Sequence, residues 1–266
     1  MIINHRRTGE GAPLVLVHGI GHRWQAWEPV LDDLATHHDV IALDLPGFGD
    51  SPVPAGGMPR DMPAVVDAMI TAFAQFGLDR PHVAGYSLGG AISLELAAAG
   101  AVASATAFSP AGFFTPAERR RALSILSTMR VNTFAPTPLV KLTLRRRSLR
   151  HMSFAPLVAY PERLDADRAI ADALALRRGR GFRTVAKAAK GYAFDGARVD
   201  GSVPVTVGWG DRDRIFGVHM ADRARAALPT AHVVTLPGCG HVPMSDDPAT
   251  VSTLILQTTG SLSARS

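Results

Sequence analysis

Six short apolar runs set the pattern of this chain: PLVLVHG (13–19), DVIALDLPG (39–47), RPHVAGYS (80–87), SATAFSP (104–110), VPVTVGWGD (203–211) and AHVVTLPGCG (231–240). Each has the length of a buried strand and closes on Gly, Pro, Asp or Ser. Helical patterns lie between most of them. Strands that alternate with helices predict an α/β fold, a mostly parallel sheet covered on both faces. In such a sheet ligands bind beyond the carboxyl ends of the strands. The polar residues that close these runs are therefore the first place to look for chemistry.

The alternation breaks between residues 111 and 198. TPAERRRALSILSTM reads as a helix, with Thr115 as N-cap, Pro116 in the first position and Glu118 completing a capping box. LDADRAIADALAL (164–176) and FRTVAKAAKGYAF (182–194) read as two more, with RRGRG as the turn between them. We expect a core made of residues 1–110 and 199–266, with 111–198 as a helical cap inserted over the strand ends. A chain of 266 residues, 47% hydrophobic and 19% charged, suits one such domain with its insertion.

Charge divides the chain along the same boundary. Residues 111–198 hold 18 Lys and Arg against 6 Asp and Glu, and the remainder holds 10 against 17. A basic segment can face nucleic acid, anionic lipid or an acidic substrate. The plainer reading, which we favour, is a solvated helix surface, and no nucleic-acid partner is expected. Membrane-surface contact is the second reading, because KLTLRRRSLRHM (141–152) interleaves arginines with Leu and Met. The single cysteine, Cys239, excludes an intrachain disulfide and a CxxC motif. MIINHRRTGEGAP has no apolar h-region, and the longest weakly polar run (96–108) is too short to span a bilayer. A cytoplasmic protein is expected.

In HVAGYSLGGAISLELAAA a strand pattern turns directly into a helix pattern, and Ser87 stands at the corner. A tight strand-to-helix turn strains its central residue and thrusts the side chain away from the sheet. Side chains two residues before or after would collide with backbone, and Gly85 and Gly89 remove them. The helix that follows offers free N–H groups and a positive dipole end to a developing oxyanion.

A serine hydroxyl needs a base to act as a nucleophile. Of the ten histidines, His241 is best placed, on the Gly-rich loop after the last predicted strand. The base needs an orienting carboxylate, and GWGDRDRIFG carries two candidates, Asp211 and Asp213. The loop after the first strong strand, HGIGHRW, can supply a backbone N–H at Ile20. With the N–H of Leu88 it would form an oxyanion hole. His18 is expected to hold this loop by hydrogen bonds.

These residues resemble the α/β-hydrolase superfamily. The resemblance covers 11–110 and 203–250 and rests on HGIG (18–21), DLPGFGDS (44–51), GYSLGG (85–90), GDRD (210–213) and GCGHVP (238–243). It implies an eight-stranded sheet, a nucleophile elbow at Ser87, a base at His241 and a helical cap at about 111–200. It also implies an acid at the fourth residue of a G-x-x-D turn, which is Asp213. The other acid position known in the family falls on Ser109, which cannot serve. MIINHRRTG leads almost at once into a strand, so the usual first strand is expected to be missing.

The implied chemistry is acyl transfer to water through Ser87, Asp213 and His241, with no cofactor and no metal. The expected partner is a small-molecule ester-type substrate with an apolar acyl part. Trp24, Phe113, Phe114, Phe134, Met152, Phe154 and Phe216 are the candidates to line its pocket. Carbon–carbon bond hydrolases, lactonases, thioesterases and cofactor-free perhydrolases share the triad, and cationic groups in the pocket would favour the first. The non-enzymatic alternative is a small-ligand-binding protein on the same fold. The sequence leaves oligomeric state open.

Overall fold

The computed structural model describes residues 3–260. Seven strands form one sheet: β1 His5–Thr8, β2 Ala12–Val17, β3 His38–Leu43, β4 His82–Tyr86, β5 Ser104–Phe108, β6 Val205–Gly210 and β7 His232–Leu236. Their order is β1-β3-β2-β4-β5-β6-β7. All neighbours are parallel except β1, which runs antiparallel along β3 with His5 opposite Leu43 and Thr8 opposite Val40. All six apolar runs contain a strand. The eight strands implied by the resemblance are seven among the described residues. The sheet starts at β1, whose exposed His5, Arg6 and Arg7 leave a charged edge that resists pairing with another chain.

The period-2 geometry of the strands sorts the apolar runs onto two faces. Val15, Val17, Ile41 and Leu43 belong to one buried cluster, while Leu14, Leu16, Val40 and Ala42 belong to the other. Helices α1 (Glu28–Ala35) and α10 (Pro248–Thr259) cover the second face through Val30, Leu34, Val251 and Ile255. Helices α2 (Met62–Gln75), α3 (Leu88–Ala98) and α9 (Met220–Ala227) cover the first through Met69, Phe73, Ile92, Met220 and Ala224. A continuous apolar run therefore marks a strand buried on both sides.

Between β5 and β6 the described chain is helical, with α4 Pro116–Asn132, α5 Thr137–Arg145, α6 Arg147–Phe154, α7 Ala166–Arg178 and α8 Phe182–Ala188. The expected box opens α4: the Thr115 hydroxyl accepts from the Glu118 N–H at 3.3 Å, and the Glu118 carboxylate accepts from the Thr115 N–H at 2.7 Å. Asp165 caps α7 by accepting from the Arg168 N–H at 2.9 Å. Helix α8 stops at Ala188, six residues short of the expected end, ahead of the turn at Gly191. Helices α5 and α6 were not expected as helices. Pro136 caps α5 and Pro138 stands in its first turn, and the α5 residues Val140 and Leu144 pack on Ile170 and Ala173 of α7. No helix among the described residues is long and apolar enough to cross a membrane.

Several arginines of this block are internal hydrogen-bond donors. Arg130 reaches the carbonyls of Leu176 and Gly179, both at 3.3 Å. Arg177 reaches the Ala135 carbonyl at 2.7 Å, and Arg150, itself buried, reaches Leu144 at 2.8 Å. Guanidinium groups thus serve carbonyls in the last turns of helices, which lack intrahelical partners, and in the connections between helices.

Candidate active site

Ser87 joins β4 to α3 with φ 56° and ψ −115°. A serine in that region is strained by about 1–3 kcal/mol, so its neighbours must impose it. Three hydrogen bonds do so. The Ser87 N–H donates to the Phe108 carbonyl at 2.9 Å, and its own carbonyl accepts from Ala91 at 3.0 Å and Ala111 at 3.1 Å. The glycines clear the turn as expected. A Cβ on Gly85 would lie 2.2 Å from the Gly89 carbonyl oxygen, and one on Gly89 would lie 2.1 Å from that of Val17.

His241 lies on the loop after β7, and Asp213 on the loop after β6. The His241 Nδ1–H donates to Asp213 Oδ2 at 2.8 Å, with both side chains buried. Asp213 Oδ1 accepts the N–H groups of Ile215 and Phe216, each at 2.8 Å. These bonds fix the carboxylate, and the carboxylate fixes the ring with Nε2 directed away from it. That nitrogen is buried and has no hydrogen-bond partner in the protein. Ser87 and His241 line one cavity, but the bond between Ser87 Oγ and Nε2 is not formed. Of the two candidate carboxylates it is Asp213 that touches the imidazole. Asp211 instead accepts the N–H of Gly238 at 2.8 Å.

Ile20 lies in the turn after β2, and Leu88 is the first residue of α3, so its N–H has no intrahelical acceptor. His18 is fully buried behind this turn. Its Nδ1–H donates to the Gly19 carbonyl at 2.7 Å, and Nε2 accepts from the Leu45 N–H at 2.9 Å. Burial pushes its pKa down to about 4, which keeps the ring neutral and able to make both bonds. Cys239 stands two residues from His241 but is no rival nucleophile, because burial pushes its thiol up to about 12.

The cavity holds about 290 Å³. The 19–22 turn, Ser87 and His241 border it below, and α4 to α7 close it with Leu126, Met129, Leu144, Phe154 and Leu176. No Lys or Arg lines it. Its ionisable groups are His22, Tyr86, Asp172 and His241. Asp172, on α7, faces His22 Nε2 at 3.3 Å, Arg23 Nε at 3.0 Å and Arg168 Nε at 2.8 Å. Burial raises its pKa, but His22, Arg168 and Arg23 outweigh that and hold the carboxyl well below the usual range. His22 also bonds the hydroxyl of Tyr86, the residue before Ser87. One carboxylate on the helical insert is thereby joined to the 19–23 turn and to the elbow.

Of the seven side chains expected to line the pocket, Phe154 does. Phe216 packs edge-on against the His241 ring at 5.0 Å, and Phe114 packs on Phe216. Phe113 is core, against Phe194 and Trp209. Trp24 packs on the second core cluster. Phe134 and Met152 are exposed. The walls come instead from Leu and Met on helices, a pattern that also describes a core. His22 and Asp172 are 150 positions apart, and nothing in their spacing announces the pair. A larger cavity, about 490 Å³, lies between α2, α3 and α8, and neither Ser87 nor His241 reaches it. Among the described residues no three His, Cys, Asp or Glu side chains gather where they could hold a metal ion.

The comparisons with known proteins agree with this architecture. The profile of the alpha/beta hydrolase family matches residues 14–254. The chain is 33% identical over 247 residues to the dihydrolipoyllysine-residue acetyltransferase component of the acetoin cleaving system of Pseudomonas putida. That match takes in 87% of this chain and 59% of the relative, so the chain spans well under two thirds of that relative's length. It is 34% identical over 97 residues, 36% of each chain, to the pimeloyl-[acyl-carrier protein] methyl ester esterase of Aeromonas salmonicida. Among solved structures, the enol-lactonase of Burkholderia xenovorans LB400 superposes with a TM-score of 0.76 over 97% of this chain and 96% of that one. At 18% identity this likeness speaks for the fold alone. The chain belongs to the alpha/beta hydrolase family.

Proposed function

We propose that the protein is a serine hydrolase that cleaves an uncharged carboxylic ester through an acyl-enzyme. His241 Nε2 takes the proton from Ser87 as Oγ attacks the carbonyl carbon. The oxyanion is held by the N–H groups of Ile20 and Leu88, and the imidazolium by Asp213. The alcohol leaves with the proton from His241. Water then gives a proton to the same nitrogen, adds to the acyl carbon and releases the acid, and Oγ regains its proton. In this reading the helical insert is a cap whose underside selects the acyl group. The carrying observation is the free, buried Nε2 of His241, oriented by Asp213 and facing the same cavity as the strained Ser87.

Ester substrates are favoured by the cavity wall, which is apolar and carries no cation. A carboxylated dienoate, the substrate type of carbon–carbon hydrolases, would meet Asp172 and no counter-charge. The esterase name of the Aeromonas relative points the same way. The test is intact-mass measurement after exposure to a fluorophosphonate, with a panel of p-nitrophenyl esters and vinylogous diketones. One adduct, absent in Ser87→Ala, together with turnover of neutral esters is expected. An adduct that persists in Ser87→Ala would overturn the nucleophile assignment.

A further inference from the structure

Residues 119–161 contain nine Lys and Arg and not one Asp or Glu. Among the described residues six large apolar side chains are exposed, and five of them fall inside this stretch. Val131 and Phe134 stand at the end of α4, Leu139 and Leu142 on α5, and Met152 on α6, with relative exposures between 51% and 72%. Leu139 and Leu142 are three apart, so they share one helix face. A solvated helix surface, the plainer reading of the basic sequence, does not concentrate hydrocarbon in this way.

We propose that the α5–α6 face docks on a bilayer surface containing anionic lipid, with the cavity opening beside the contact. Continuity with the cavity supports this: Leu139 is both exposed and a cavity residue, and Asn132, Thr133 and Ala135, which alternate with the exposed side chains, line the cavity too. Charge complementarity supports it as well. Arg130 and Arg150 are engaged with carbonyls, and Arg145 and His151 pair with Asp167 and Glu162 at the border. Lys141, Arg146 and Arg147 remain exposed among the apolar residues. Cations of this kind meet lipid phosphate while apolar side chains enter the acyl boundary. A second copy of the chain would bring the same positive charge against itself. A folded acidic protein would answer the charge, but hydrocarbon carried on three separate helices suits a deformable interface better.

The docking surface goes beyond the hydrolytic reading and is tested without it. The full chain is sedimented with phosphatidylcholine vesicles, with and without phosphatidylglycerol, at low and physiological salt. Pelleting that requires phosphatidylglycerol is expected, and Ser87→Ala should pellet like the wild type. Arg146→Glu with Arg147→Glu should weaken partitioning at least ~10-fold. Phe134→Ser with Leu142→Ser should weaken it at both salt concentrations, and neither pair should change turnover of a short soluble ester. Lys141→Glu is the second charge variant if circular dichroism shows the double change to disturb folding. Wild-type protein left in the supernatant overturns the proposal, including the case in which an acidic protein binds and vesicles do not. Pelleting unaffected by the apolar pair overturns it too, since charge alone would then explain the binding.

Discussion

The Asp213–His241 pair makes the sharpest prediction, through Asp213→Asn. An amide is nearly isosteric with a carboxylate, so the fold should tolerate it. Its orientation is not free. The position of Oδ1 receives two backbone N–H groups, from Ile215 and Phe216 at 2.8 Å, and only an oxygen can accept them. The amide nitrogen must then occupy the Oδ2 position, 2.8 Å from His241 Nδ1, and donate to it. Nδ1 becomes an acceptor and the ring proton moves to Nε2, the nitrogen that must take the Ser87 proton. The alternative flip leaves two buried N–H groups facing an NH2, at about 1–3 kcal/mol each, and is excluded. A wrong tautomer of this kind lowers turnover about 10⁴-fold, which corresponds to ~5.4 kcal/mol of transition-state stabilisation. The assay is kcat/KM on a p-nitrophenyl ester, with the fluorophosphonate labelling rate measured in parallel and the melting temperature as a control. Asp211→Asn, which disturbs only the bond to Gly238, should stay within a few-fold of wild type. If Asp213→Asn retains a tenth of wild-type turnover, or Asp211→Asn loses as much as Asp213→Asn, the tautomer reasoning is refuted.

Three further outcomes follow from the same structure. Gly89→Ala would place a Cβ 2.1 Å from the Val17 carbonyl oxygen and 2.8 Å from that of His18. Neither backbone atom can yield cheaply, so a loss of ~2 kcal/mol or more is expected, roughly 4–8 °C in melting temperature. Gly191→Ala meets nothing within 4 Å and is the neutral control. Glu118 links α4 to Arg223 and His219 at 2.6 Å each, and its pKa is lowered chiefly by the Arg223 hydrogen bond. A depressed carboxyl stabilises the fold above its ordinary 4.5 and ceases to as pH falls through the folded value. Glu118→Gln should therefore cost about 1 kcal/mol at pH 7, reduced from a buried pair by partial exposure. The gap from wild type in denaturant melts should narrow steadily below pH 4.5, and a constant gap would contradict the linkage. Ala173→Phe intrudes on the cavity of about 290 Å³. Excluding two methylenes of the acyl chain, at about 0.8 kcal/mol each, lowers the octanoate-to-acetate ratio of kcat/KM roughly 15-fold.

What was legible in the sequence is what local physics dictates. Strands buried on both faces must be continuously apolar, and five of the seven could be read for that reason; β7, at the sheet edge with His232 and Thr235 exposed, was read from its apolar run all the same. The elbow could be read because its strain needs glycine at fixed offsets, where a Cβ would strike backbone 2.2 Å and 2.1 Å away. Asp213 was reached only through the G-x-x-D resemblance, since spacing did not separate it from Asp211. The structure separates them by which one touches Nδ1. The pocket was not legible. Its wall is made by helix faces whose Leu and Met residues carry the same periodicity as a core, and aromatic residues such as Phe113 and Trp24 proved to be core. Helices α5 and α6 were hidden by their composition. Proline at 136 and 138 is a residue of turns and helix starts, and five cations between 141 and 150 interrupt the apolar period. The Asp172 network was invisible because it joins residues 149 positions apart.

The asymmetry of charge also means something different in three dimensions. An excess of 18 cations over 6 anions in residues 111–198 suggests a uniform positive field, and the structure does not deliver one. Arg130, Arg150 and Arg177 hold carbonyl oxygens at helix ends and in the turns between helices, a task that arginine performs with several donors in one plane. Arg168 joins Glu28, Gln25 and Asp172, which ties α7 to the 24–28 segment beside the cavity that Ser87 and His241 line. Of the cations that the internal bonds leave uncompensated, Lys141, Arg146 and Arg147 lie along α5 and α6, beside most of the large apolar side chains that the described surface exposes, while Arg120, Arg178, Arg180, Arg183, Lys187 and Lys190 are exposed elsewhere in the insert. A helical insert assembled from short helices needs many donors for its loose ends, and arginine supplies them. Part of the surplus stands on the face whose hydrocarbon is also uncovered, and that coincidence, which composition could not reveal, is why the charge there calls for a partner.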